Sequence, residues 1–405
     1  MGQARTALVV GGGIIGITSA YALARDGWKV RLIESERSLA TGASSGNGRQ
    51  LSYSHTNALA SPGLIPQIPG LLLGCNEAFR LSLRPDLQFA GWALRMLRNS
   101  TSEAFRRNTL ETLALAERSR GAMEALLARH EIEFDRRRTG KLVLLRGEKE
   151  EREARSSMAM KTAAGLKQVM LDAQELCAIE PALAQSADPA TAALYSPEDE
   201  TGDCATFARG LCYVAIQDYG LEVSSGAKVT HVRRRNDGAE IELAGGETIH
   251  GDLVVIASGH KATGLLSPLG YRMWIEPMKG YSFTAPIGNA PPSVSITDSK
   301  RRIVFTNIGD RMLVAGIAEM GRVDQRVDRQ RLETMKAAAR ASLPEAALYS
   351  ESDDGWVGFR PMTPNSQPVT RLLEKGIAVN AGHGMLGWTL AMGSAERLAE
   401  LVSPR

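Results

Sequence analysis

A cluster of glycines near the start, Gly11-Gly12-Gly13-Ile14-Ile15-Gly16, constrains this chain more than any other feature. Before it, residues 6–10 (Thr-Ala-Leu-Val-Val) read as a short buried strand. After it, residues 14–26 carry Ile14, Ile17, Tyr21 and Leu23 on the inner side of a helix, and residues 29–33 read as a second strand. The pattern is a β-α-β unit. Gly11 permits the tight turn, Gly13 lets backbone approach a pyrophosphate, Gly16 lets helix pack on strand, and Glu34 can accept ribose hydroxyls. A strand before, a helix after and an acid 18 residues beyond Gly16 point together to a bound dinucleotide. A glycine-rich turn joining core elements is the plainer alternative. The same glycines argue against a secretory signal, which Arg5 and the apolar stretch to Ala24 otherwise imitate.

A length of 405 residues predicts two domains, or three at the outside. With 43% hydrophobic and 23% charged residues, the chain reads neither as disordered nor as a polytopic membrane protein. The net charge of +3 gives no electrostatic reason for a nucleic-acid partner, and the arginine triplets 136–138 and 233–235 read as solvated faces. Four cysteines (Cys75, Cys177, Cys204, Cys212) without C-x-x-C spacing and six scattered histidines disfavour a disulfide framework and a metal site. A reducing, cytoplasmic setting follows.

Beyond the second strand, residues 42–50 (Gly-Ala-Ser-Ser-Gly-Asn-Gly-Arg-Gln) form a polar loop whose small side chains suit backbone contact with a phosphate or flat ring. Residues 82–130 read as helices, 140–145 as a strand, and 146–161, with its mixed charges, as an exposed helix. Asn236-Asp237-Gly238 marks a hairpin leading into the strand 253–257. Short strand candidates between residues 271 and 319 read as an antiparallel sheet; a helix at 326–342, strands near 356–359 and 376–380 and a final helix from about Leu386 follow. The apolar run Leu64–Leu73 is too short and proline-rich to span a bilayer; it reads first as a buried loop and second as a peripheral contact with the inner face of the membrane.

The segment Val379-Asn380-Ala381-Gly382-His383-Gly384-Met385-Leu386-Gly387-Trp388-Thr389 repeats the strand, glycine turn and helix start, an arrangement that stabilises negative charge. Arg360 ends a strand before a proline-stiffened turn, where a guanidinium serves either as a carboxylate clamp or as a structural ion-pair partner. His383 by itself reads as either a satisfied histidine or a catalyst. Gly42-Ala43-Ser44-Ser45-Gly46 satisfies G-x-S-x-G, but no strand precedes it and no helix follows, which opposes a serine hydrolase.

Together these segments resemble the flavin-dependent D-amino-acid dehydrogenase small subunit, within the family of D-amino-acid oxidase and glycine or sarcosine oxidase flavoproteins. The resemblance runs the whole length. It is carried also by Asp199-Glu200-Thr201-Gly202-Asp203-Cys204, Pro277-Met278-Lys279-Gly280-Tyr281-Ser282, Gly309-Asp310-Arg311 and Arg360-Pro361-Met362-Thr363-Pro364. It implies an α/β and α+β fold: a discontinuous Rossmann-like FAD domain (residues 1–81, 204–270 and 356–405) and a substrate domain on an antiparallel sheet plus helices (82–203 and 271–355). It implies FAD held by Gly11, Gly13, Ile14, Ile15, Gly16, Glu34 and Ser35. Ser44, Ser45, Asn47, Gly48, Arg49, Gln50 and Leu51 would lie at the flavin edge, with Val229 at adenine and Ser258 and Gly259 near the middle. His383, Gly384, Met385, Leu386, Gly387, Trp388 and Thr389 would form the second helix start. Arg360 would bind the substrate carboxylate, with Tyr281 and His383 as further catalytic candidates.

The implied reaction is oxidation of a D-amino acid by hydride transfer from Cα to flavin N5, followed by hydrolysis to a 2-oxo acid and ammonia. Electrons would pass to a quinone or another carrier. An oxygen-using oxidase of glycine, sarcosine or D-proline type, and a flavin-binding subunit that needs a partner, are the alternatives. Arg49 and His55 depart from the family pattern; they either contact a polar or acidic substrate or line a channel.

Overall fold

The computed structural model describes residues 5–74 and 76–403; Cys75 lies outside them. Thr6–Val10, Ile14–Arg25 and Lys29–Ile33 form the expected β-α-β unit. Its strands belong to a six-stranded sheet ordered Val369–Glu374, Ile377–Ala381, Leu253–Ile256, Thr6–Val10, Lys29–Ile33, Glu222–Ser224. Every pairing is parallel except the first. Such a sheet is buried on both faces, so its central strands are continuous apolar runs. One face packs against helices Ile14–Arg25, Cys204–Tyr219 and Gly387–Val402, with Leu115, Ala116, Met123 and Leu126 of Ser102–Leu127 joining the same core. The other face is covered by the three-stranded sheet that contains the hairpin at Asn236-Asp237.

The second large sheet runs Trp356–Met362, Glu276–Pro286, Arg311–Met320, Ile303–Ile308, Ser295–Asp298, Lys141–Leu145, Ala192–Ser196, Val169–Asp172, with Phe79–Leu81 paired to Arg311–Met320. It is antiparallel but for two parallel pairings, Ser295–Asp298 with Lys141–Leu145 and Phe79–Leu81 with Arg311–Met320. Helix Arg329–Ser342 closes its far face. The fold is thus α/β and α+β. Three segments lie across the boundaries expected from sequence: Trp356–Met362 and Phe79–Leu81 hydrogen-bond into the second sheet, and Ser102–Leu127 packs on the C-terminal helix.

Two local expectations are corrected. Leu64–Leu73 is not a buried loop: it forms the short helices Pro62–Gln67 and Ile68–Leu72, buries Leu71 and leaves Leu73 80% exposed. The helix Glu148–Thr162 is mostly exposed as expected, but Lys161 near its end is 1% exposed because its ammonium reaches inward to the Ser54 carbonyl.

Candidate active site

The glycine turn after Thr6–Val10 opens onto a cavity of about 1470 Å³ lined from both large sheets. Pockets for small ligands are usually about 300–1,000 Å³, so this one has room for a dinucleotide and a second molecule. Gly11 has φ +114°, and a Cβ there would lie 2.8 Å from the Ala257 carbonyl oxygen; a Cβ on Gly16 would lie 1.7 Å from the Gly11 oxygen. Helix Ile14–Arg25 has no cap of its own at Gly13; instead the Ile14 N–H donates to Ser44 Oγ at 3.0 Å, so the polar loop completes the helix start. The Gly12 N–H and the Ser35 hydroxyl donate to the two Glu34 carboxylate oxygens.

On the same cavity, Gly382 and Gly384 turn the chain at φ +80° and +57°, and helix Gly387–Val402 begins without a side-chain cap. Two helix starts therefore place orphan N–H groups and partial positive charge around one space. Ser258 Oγ, His383 Nδ1 and Trp388 Nε1 line it as buried polar atoms without partners. Buried polar atoms are nearly always hydrogen-bonded, so these mark where a bound group completes the site. The donors and glycine cradles fit FAD.

All but four of the residues expected at the cofactor line this cavity. Gly16 packs helix on strand, and the Ser45 hydroxyl turns to the Thr41 and Gly42 carbonyls. Leu51 is in the core, and Thr389 accepts from the Ser52 N–H at 3.0 Å.

The expected substrate residues also line the cavity, but their chemistry differs. Arg360, on Trp356–Met362, lays its guanidinium on Gly280, where a Cβ would be 2.7 Å from Cζ. Its only hydrogen bond among the described residues is a long one, 3.5 Å, to the Gly316 carbonyl, and no carboxylate pairs with it. Burial pulls its pKa down to about 10, which leaves it cationic at neutral pH. Tyr281 is 1% exposed, and its hydroxyl donates to Glu319 Oε1 at 2.5 Å, an oxygen that also meets Arg331 at 2.9 Å. Burial and that carboxylate raise its pKa, so the hydroxyl stays protonated and its proton is engaged by Glu319. His383 shares a 2.9 Å hydrogen bond with Ser394 Oγ, and burial pushes it down to about 3, so the imidazole is neutral at pH 7.

Arg49 sits at φ +53° with its guanidinium 3.0 Å from Asp203 Oδ2, so its charge is already matched. His55 faces the cavity and is held well below the usual imidazole range by burial and by Lys141 and Lys161. Sequence reasoning missed Trp356, whose indole covers Gly46 and Gly358, and Lys141, which lines the cavity at 3% exposure. A lysine opening a strand reads as solvent-facing, and only the tertiary pairing buries it.

A profile of the family described as "DAO: FAD dependent oxidoreductase" matches residues 6–401. "D-amino acid dehydrogenase 2" of Ralstonia nicotianae is 38% identical over 98% of this chain and 96% of its own length. "D-amino acid dehydrogenase" of Xanthobacter autotrophicus is 35% identical over 98% and 95%. Among solved structures, L-proline dehydrogenase from P. horikoshii superposes with a TM-score of 0.74 at 20% identity over 100% of this chain and 94% of its own. Glycine oxidase from Bacillus cereus gives 0.73 at 19% over 98% and 94%. These two establish the shared fold. The glycine cradles, the second helix start and the full-length match have one conclusion: this chain belongs to the DAO family of FAD-dependent oxidoreductases.

Proposed function

We propose that this enzyme oxidises D-amino acids to imino acids, which water hydrolyses to 2-oxo acids and ammonia, and that it passes the electrons to a quinone or another carrier rather than to oxygen. The observation that carries this reading is Arg360: a cavity-lining guanidinium without a protein carboxylate, in a chain whose relatives are named D-amino acid dehydrogenases. FAD, when bound, takes up the electron pair released by the substrate.

The protein's own contribution is orientation. Arg360 clamps the α-carboxylate in a site where charge-assisted bonds are strong, and Gly280 lets it lie flat against the sheet while the Gly316 carbonyl accepts from it. Trp356 covers Gly46 and Gly358, and so walls the cavity beside the strand that carries Arg360. In this reading the parallel sheet carries the cofactor domain and the second sheet the substrate domain. No helix among the described residues is long and apolar enough to cross a membrane. The exposed Ile65, Leu72 and Leu73 suit a peripheral contact from which a quinone is reached in an otherwise cytoplasmic enzyme.

Turnover of D-amino acids with an artificial dye under nitrogen, without peroxide in air, is the expected result. Peroxide formed in proportion to substrate overturns the acceptor assignment, and failure of every D-amino acid to reduce the dye overturns the substrate class.

A further inference from the structure

Resting on that reading, we propose that Lys141, with Gln50 and Ser52, forms a second anion-accepting subsite in the cavity, and that it selects D-amino acids whose side chain ends in a carboxylate. Lys141 opens the strand Lys141–Leu145 and directs its ammonium to Gln50 Oε1 at 3.0 Å and Ser52 Oγ at 2.8 Å. Both are neutral acceptors, and an ammonium has three donors, so one is left over. No carboxylate among the described residues lies within ion-pair distance of it.

The charge count around it is uneven. Asp199 acts on Lys141 and also on Lys161, whose ammonium donates to the Ser54 carbonyl at 2.8 Å. Asp199, Lys161 and Lys141 are 0%, 1% and 3% exposed. Two lysines against one carboxylate leave a positive charge among buried side chains, and burying such a charge without a partner is costly. Of the two lysines only Lys141 lines the cavity, so the missing negative charge enters from there.

Position ties this cation to the substrate. Trp356 packs on both Gly46 and Gly358, and Gly358 pairs across the sheet with Gly280, on which the Arg360 guanidinium rests. At the other end of the same loop, Gln50 holds Lys141. Four peptide units from Gly46 to Gln50 reach at most about 14 Å, and Arg360 and Lys141 both line the one cavity. One unpaired cation thus serves the α-carboxylate and the other the far end of the substrate. Neutral His55 and Asn57 extend the polar wall at that end, where an apolar side chain would leave buried polar groups unmatched.

The test is the ratio of kcat/KM for D-glutamate to that for D-norleucine, with D-aspartate and D-2-aminoadipate reading the span, on FAD-loaded enzyme. We expect wild type to favour an acidic substrate by about tenfold or more, and Lys141→Met to lower that ratio by about tenfold at equal FAD content. Should Lys141→Met lose FAD, Lys141→Gln reads the same ratio. Preference of wild type for D-norleucine over all three acids overturns the proposal without any variant. So does a ratio unmoved by both substitutions, or an equal loss on both substrates with a lowered flavin potential, which would assign the lysine to the cofactor. Failure of every D-amino acid overturns the proposed function as well, whereas turnover with an unmoved ratio overturns this inference alone.

Discussion

Replacing Arg360 by methionine separates what this residue does for the substrate from what it does for the fold. The guanidinium makes one 3.5 Å hydrogen bond and no ion pair among the described residues, so its removal takes little from the protein's own contacts. Burial lowers its pKa to about 10 from an unfolded value near 12.5, so the charged form is disfavoured in the folded state, and its removal leaves stability unchanged or raised. On the substrate side, truncating one partner of a buried charge-assisted pair costs about 2–5 kcal/mol. At about 1.4 kcal/mol per tenfold, a central value of about 3 kcal/mol predicts a loss of about 150-fold in kcat/KM. The assay compares D-phenylalanine with 2-phenylethylamine, which lacks the carboxylate. Wild type should prefer the amino acid strongly, and Arg360→Met should abolish most of that preference while the melting temperature holds and the protein stays yellow. A fall of less than threefold, an equal fall on both compounds, or a melting temperature lower by several degrees would refute the reasoning.

Gly16→Ala places a methyl group 1.7 Å from the Gly11 oxygen, so helix and strand must separate; we expect a loss of at least about 3 kcal/mol and of bound FAD, read by denaturant titration and by absorbance. Stability should also fall as pH drops from 7 to 5. His260 and His383 are pushed down to about 4 and 3 by burial, and His55 is held low as well, so all three remain neutral in the folded state while the unfolded chain protonates them below pH 6.5. Asp199, raised to about 6 by burial, works in the opposite direction, so the unfolded state takes up a net of about two protons, or up to about 3 kcal/mol per pH unit. Urea midpoints at the two pH values test this, and His260→Gln should remove one proton from the slope; a flat profile would contradict the assignment.

The cofactor half of the cavity was legible because its physics is local. A glycine at φ +114°, a helix start without its own cap and an acid ending the next strand leave marks within one β-α-β unit, and the second helix start repeats them. The substrate half depends on strand pairing between distant segments, and propensity misleads there. The 11-residue strand Glu276–Pro286 is punctuated by Pro277, Gly280 and Pro286, which read as breakers. Gly280 is in fact the gap into which Arg360 folds, so the residue that weakens the strand signal makes room for the guanidinium. Lys141 and Lys161 each look solvent-facing in isolation; their burial follows from hydrogen bonds to residues 50, 52 and 54, about 90 to 107 positions earlier. Tyr281 and His383 were legible as cavity residues, but their partners Glu319 and Ser394 were not, because these lie on other strands or turns of helix.

The central claim is that one cavity holds FAD beside a carboxylate-clamping arginine and takes its electrons from D-amino acids. Anaerobic titration of the purified yellow protein with paired D- and L-amino acids, followed through the visible flavin absorbance, tests it most directly. The account predicts bleaching by D-enantiomers and none by their L-counterparts, with the response slowed about 150-fold in Arg360→Met. A FAD-loaded protein that no D-amino acid bleaches, or that both enantiomers bleach alike, would contradict it.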